Sequence, residues 1–254
     1  MVILRLNLNK GVYYIMKFVK SFAVLTFAIL MINIQMPLSL NFNQNEKHVY
    51  LTFDDGPTAK NTPLLLDELR NLNLPATFFV VGKLVNENPK VLQRIIDENH
   101  AIGLHTMSHN KNKCYLSTEN FINENIELKN LLEKEFNVTT NILRFPFGSH
   151  NSYLRINKPF INKLHENNFK IYDWHIDTFD AVQPDNDPCT ILQICKNQFQ
   201  KRFSNNKDII ILMHTNTNNI HTIKSLKLIR DYFLNLGYEF STLNESTEEI
   251  YYTK

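Results

Sequence analysis

A parallel α/β fold, either a (β/α) barrel or a doubly wound sheet, is what the chain predicts from residue 48 onward. Three observations carry that reading. Seven short apolar runs alternate with six longer stretches of helical periodicity. Most of the runs end on ionisable residues, which parallel strands would collect on one rim. No repeat, linker or composition shift divides the chain after residue 45.

The 254 residues are 43% hydrophobic and 20% charged, the balance of a globular protein. The first 45 differ in kind. They hold Arg5, Lys10, Lys17 and Lys20 but no acid, and Ser21 to Ile34 is an apolar run of 14 residues. A spanning helix needs ~20 residues, whereas a signal-peptide core is shorter. Residues 1–45 are therefore expected to be an export signal or membrane anchor with a short linker. Residues 46–254 are expected to form one catalytic domain outside the membrane, on its extracellular face or secreted. Without residues 1–40 the chain carries 23 basic and 25 acidic groups, so no nucleic-acid partner is expected. Cys114, Cys189 and Cys195 are too few for a disulfide framework and are read as unpaired. A monomer is expected.

In chain order, the first strand is His48–Phe53. It ends on Asp54-Asp55 and is cut off by Gly56-Pro57. Two adjacent carboxylates cannot both face an apolar core, so they call for a cation, a metal or an Arg. Helix Pro63–Leu72 follows, with Leu64, Leu65, Leu69 and Leu72 on one face. Strand Ala76–Val81 and helix Pro89–Asn99 lead to strand Ala101–His105. Helix Thr118–Phe136 precedes strand Ile142–Phe145, which carries Arg144 at its end. Helix Lys158–Asn167 comes before strand Lys170–Trp174, whose Trp174 is expected in the core. Helix Thr190–Phe203, strand Ile209–Met213 with His214 after it, helix Thr222–Leu236 and strand Tyr238–Thr242 complete the pattern. The last helix shows Leu226, Ile229, Phe233 and Leu236 on one face.

His105 and His109 stand at i and i+4. If that segment turns helically, both rings point one way, ~6 Å apart, near enough to share an ion. With a carboxylate from Asp55 they form a two-His, one-carboxylate set suited to zinc or another borderline ion. Asp177 is read as a turn residue.

Five motifs then carry a resemblance: Thr52-Phe53-Asp54-Asp55-Gly56-Pro57, His105-Thr106-x-x-His109, Arg144-x-Pro146-x-Gly148, Asp177-x-x-Asp180 and Leu212-x-His214. In this order they resemble the polysaccharide deacetylase family, carbohydrate esterase family 4, also called the NodB-homology domain. The resemblance spans residues 48–243 and implies a distorted (β/α) barrel of about seven parallel strands. It also implies that Asp55, His105 and His109 hold a divalent metal: zinc, with cobalt, nickel or manganese as alternatives. By the same resemblance Asp54 is the base, and Arg144 is its partner. His214 is the acid, held by Asp180. The Phe147 N–H helps bind the oxyanion, and Leu212 lines the pocket for the acetyl methyl.

Two positions depart from many members. Ala181 stands where Trp is common, and Phe147 where Tyr or Gly is common. Arg144 through Asn151, with Asp180-Ala181, is most similar to the bacterial peptidoglycan-deacetylase branch. The resemblance thus implies cell-wall N-acetylglucosamine as substrate. Alternatives are a chitooligosaccharide, a biofilm polysaccharide or acetyl-xylan, and, from another class, a catalytically silent wall-binding module.

Overall fold

Val49, Leu51 and Phe53 point one way along the first strand, and Tyr50, Thr52 and Asp54 point the other. That alternation organises the domain. The computed structural model describes residues 46–216 and 220–253; the expected leader over 1–45 lies outside the described residues. Among them no helix is long and apolar enough to cross a membrane.

Among the described residues eight strands form the sheet: β1 (His48–Gly56), β2 (Thr77–Val80), β3 (Ala101–Leu104), β4 (Ile142–Leu143), β5 (Lys170–Ile171), β6 (Ile176–Asp177), β7 (Asp208–His214) and β8 (Glu239–Ser241). Every pairing is parallel, in the order β5-β4-β3-β2-β1-β7-β6, with β8 beside the first half of β1. The edge strands β5 and β6 are separated in the chain only by Tyr172 to His175. Even fully extended, that link reaches ~18 Å. The two edges must therefore curl toward each other, as in a distorted (β/α) barrel.

The sequence treats Lys170–Trp174 as one strand, but it breaks after Ile171 and resumes as β6. A strap over the break explains why. Ile250 pairs with Tyr172, the Asp173 N–H donates to the Ile250 carbonyl at 2.7 Å, and the Tyr252 N–H donates to Ser149 Oγ at 2.7 Å. The Asp173 N–H of the expected strand is thus bonded to the strap, while the Tyr172 N–H still donates to Leu143 of β4.

The larger core cluster packs strands against helices. A smaller one holds Tyr50, Phe79, Ile142, Tyr172, Ile210 and Leu243. None of these six comes from a helix, which marks the barrel interior. Around it lie α1 (Asn61–Leu72), α2 (Gly82–Glu87), α3 (Pro89–Asp97), α4 (Lys111–Cys114), α5 (Thr118–Phe136), α6 (Lys158–Glu166), α7 (Pro188–Gln198) and α8 (Ile220–Asn235). The four-residue α4 and six-residue α2 are too short to show a period. The α1 face is rotated from expectation: Leu65, Leu66 and Leu69 are buried while Leu64 is exposed, and Leu236 past α8 is exposed too. The expected helix to Phe203 ends at Gln198 and continues as a π-turn, Phe199–Phe203.

With only six glycines in the chain, left-handed turns fall to asparagine. Asn73 and Asn137 cap α1 and α5 at φ 53° and 55°, as the short polar side chain permits. The three cysteines are free, as expected.

Candidate functional site

In a regular strand, Asp54 and Asp55 would face opposite sides. They do not, because the β1–β2 register slips between Phe53 and Gly56, and Asp55 sits at φ 63°. This irregularity turns the second carboxylate back onto the rim, the usual work of a bulge near a site.

Asp54 lies on the inner face, 3% exposed, opposite His214 in the β1–β7 register. Its Oδ1 accepts from Arg144 Nη1 at 2.8 Å. Arg144 is wholly buried. Its other donors reach Thr52 Oγ1 (2.7 Å), the Tyr172 carbonyl (2.7 Å) and the Asp173 carbonyl (3.0 Å). The guanidinium also lies 4.2 Å from the centroid of the Phe79 ring, so this is no surface arginine.

Asp55, His105 and His109 offer one ligand atom each, all within 4.8 Å of one another. Asp55 Oδ1 lies 3.4 Å from His105 Nε2 and 3.1 Å from His109 Nε2. The two histidines meet differently from the expectation. Residues 105–109 form no helix; Thr106 and His109 adopt φ 68° and 50°, and the loop brings the ring centroids to 5.0 Å. Several such backbones around one centre are typical of functional sites.

The donor set fits a cation. His105 Nδ1 is 3.0 Å from the Arg144 carbonyl, so in the neutral ring Nδ1–H donates there and the Nε2 lone pair faces the carboxylates. Asp55 Oδ1 is buried without a hydrogen-bond partner among the described residues. Acceptors converging on one point need a positive charge between them. Without metal that charge falls on His105: burial opposes it, but Asp54 and Asp55 prevail and raise its pKa. Burial, then the neighbouring His105, lowers that of His109. Burial would raise the Asp55 pKa, yet the histidines bring it to about 2.

Outer contacts hold these three candidate ligands. Asn216 Nδ2 donates to Asp55 Oδ2 at 2.7 Å. From α5, Asn125 Oδ1 accepts from the Thr106 N–H and Glu124 Oε2 from the Ser108 N–H. The sequence reading missed all three, and only the His-x-Asn spacing of Asn216 hinted at one. Asn125→Ala is expected to orphan the Thr106 N–H, loosen the loop and weaken metal binding ~10–100-fold. Competition against a chromophoric chelator reads this out, and wild-type affinity would show that Glu124 suffices.

His214 Nδ1 lies 2.8 Å from Asp180 Oδ1, and the His214 backbone N–H donates to Asp180 Oδ2. Burial disfavours the charged ring, but Asp180, with Asp54 and Asp55, pushes its pKa up to about 9. Leu212 stands two residues below His214 on the same face and is buried. Phe147, at φ 65°, keeps its N–H unpaired among the described residues, and its ring lies 5.2 Å from that of His109. Asp177 is the turn residue expected, accepting from the Phe179 N–H at 2.8 Å. Trp174 meets the expectation in part, packing against the inner core cluster. It is only half-buried and lines a cavity of about 690 Å³ beside the ligands.

Breaking an unreactive bond with water takes a cation and two proton handlers within reach of one another. The rim brings them together, and the class of protein it defines is a metal-assisted hydrolase. The comparisons agree. A family profile described as polysaccharide deacetylase matches residues 41–159. A peptidoglycan-N-acetylglucosamine deacetylase of Bacillus cereus is 31% identical over 206 residues, covering 79% of this chain and 88% of that protein. A second protein of that name and organism is 39% identical over 140 residues, which is 55% of this chain but only 50% of the relative. The crystal structure of a polysaccharide deacetylase from Bacillus cereus matches with TM-score 0.69 and 30% identity, over 81% of this chain and 96% of that one. The chain belongs to the polysaccharide deacetylase family.

Proposed function

We propose that the protein removes N-acetyl groups from N-acetylglucosamine residues of cell-wall peptidoglycan. The observation that carries this is the β1–β7 register, which sets the arginine-paired Asp54 opposite the aspartate-held His214 beside the three ligands. A divalent metal held by Asp55, His105 and His109, zinc by the donor set, would supply a Lewis acid and lower the pKa of water. Asp54 takes the proton of the attacking water, with Arg144 fixing which oxygen faces it. His214, protonated beside Asp180, gives its proton to the departing sugar nitrogen. The Phe147 N–H donates to the developing oxyanion. Leu212 closes the floor against the acetyl methyl. Peptidoglycan as the substrate is supported by the names of the relatives.

Acetate release from purified wall, chitin oligomers and acetyl-xylan by the zinc-loaded protein is the test. Wall glycan is expected to be turned over best, and no acetate from any of the three would refute the reading. The rate should fall at high pH as His214 loses its proton. Asp180→Asn should move that limb to lower pH; an unmoved limb would remove His214 from the acid's role.

The proposal extends to location. The basic, acid-free segment 1–45 with its apolar core supports export, and the domain would work as a monomer at the outer face of the membrane or beyond it. Protease added to intact cells should digest the domain, and protection until lysis would reverse the topology.

A further inference from the structure

The cavity of about 690 Å³ beside the ligands is unused by the chemistry above, although its volume is that of a ligand pocket. It is continuous with the site, because Phe147 forms its wall and also touches the His109 ring. Phe147, Phe179 and Tyr252 in its lining are 52%, 40% and 45% exposed. Exposed rings gathered around one hollow mark a binding surface, and they suit the apolar faces of a sugar.

The hollow is also a built one. Gly148, at φ 75°, lies against Trp174 so closely that a Cβ there would sit 2.8 Å from the indole. The Gln198 side chain clamps Asp177 from both sides, donating to its carbonyl at 2.6 Å and accepting from its N–H at 3.1 Å. Directly after Gln198 comes the π-turn, an irregularity that often accompanies function. It places Arg202 in the lining, where no carboxylate pairs with it among the described residues.

The acids of the lining are otherwise engaged. Asp173 accepts from Ser149, and Asp177 from the Phe179 N–H. An exposed guanidinium with no carboxylate partner among the described residues, in a lining that also holds aromatic rings, matches a carboxylate attached to a sugar.

We propose that this cavity is a second sugar subsite, in which Arg202 reads a carboxylate carried by the residue next to the one deacetylated. The proposal rests on the glycan reading above and adds an acidic neighbour to it. Two sources share that chemistry: a lactyl ether on the neighbouring sugar, and a peptide attached to that ether.

The test measures kcat/KM for the zinc-loaded full chain on N-acetylated glycan strands of equal length. One set carries free lactyl carboxylates, one the same groups as methylamides, one intact peptides, and one is a neutral N-acetylglucosamine oligomer. Wild type should favour a carboxylate-bearing strand over its methylamide ~10-fold, through KM. The lactyl and peptide strands tell which source is read. Arg202→Gln should level the preference without slowing the methylamide strand, and Arg202→Lys should restore part of it. A wild type blind to the carboxylate, or an Arg202→Gln variant that keeps the preference, overturns the subsite and leaves the deacetylase standing. Failure to deacetylate every strand would instead overturn the underlying reading, and the subsite with it.

Discussion

Asp54→Asn is expected to keep its metal and lose turnover by ~10²–10⁴, the range for removing a general base. Asp55→Asn, its neighbour, is expected to lose the metal. The residues are chemically identical and adjacent, so composition cannot explain a difference; geometry can. Asp55 points Oδ1 at both imidazole nitrogens, at 3.4 and 3.1 Å, with no other partner for that atom among the described residues. Asp54 gives one oxygen to Arg144 at 2.8 Å and stands 3.7 Å from His105. An amide at 54 can still accept from Arg144, so the pocket should keep its shape, but it cannot take a proton from water. Substrate affinity should hardly change, since proton abstraction belongs to the transition state. Metal content after dialysis and single-turnover rates decide the matter. Metal loss in Asp54→Asn, or near-normal turnover, would reverse the roles of ligand and base.

Arg144→Leu should be the most damaging change to stability. It leaves the Asp54 carboxylate buried at 3% exposure without its cation, and it strips two backbone carbonyls and Thr52 of their donor. Breaking one side of a buried ion pair costs ~3–5 kcal/mol. For a domain of this size that is a fall of ~6–20 °C in melting temperature. Adding Asp54→Asn to Arg144→Leu should recover part of the loss, because the uncompensated charge goes too. Melting of the metal-free proteins measures this. An Arg144→Leu variant melting with wild type, or a double variant less stable than the single, would show that the pair is not what holds the rim.

Much of this was legible in the chain because local chemistry dictates it. Carboxylates after an apolar strand and a histidine after another had to be rim residues, and parallel topology collected them on one side. The structure brings Asp54, Asp55, His105, His109, Arg144, Asp180 and His214 to one rim, the His214–Asp180 pair set beside Asp54 by the β1–β7 register. What stayed hidden depends on partners far away in sequence. The slip at Asp54-Asp55 exists only against β2, and no periodicity within β1 announces it. His105 and His109 meet through left-handed backbone at Thr106 and His109, which no i, i+4 rule foresees. The break between β5 and β6 is imposed by a segment some eighty positions downstream, and Asn125 reaches the loop from a helix face that reads as core.

The strap over that break gives the catalytic centre a schedule. The Tyr172 carbonyl that receives Arg144 belongs to the same peptide whose N–H, on Asp173, donates to the Ile250 carbonyl, and Tyr252 secures Ser149 across 103 residues. The Thr52 hydroxyl reaches Ile211 across 159. Contacts so distant in sequence are closed late, because loop entropy is lost before they return anything. At ~5–20 residues per second, the ribosome adds residue 250 ~10–40 s after residue 54. From the addition of Arg144 until residue 250 arrives, the chain carries the proposed base and metal ligands without the segment that steadies the arginine. The centre therefore cannot mature in the order in which its residues are made. It is completed from the far end of the fold, so a nascent chain still in transit holds the parts of a hydrolase but not yet the finished site.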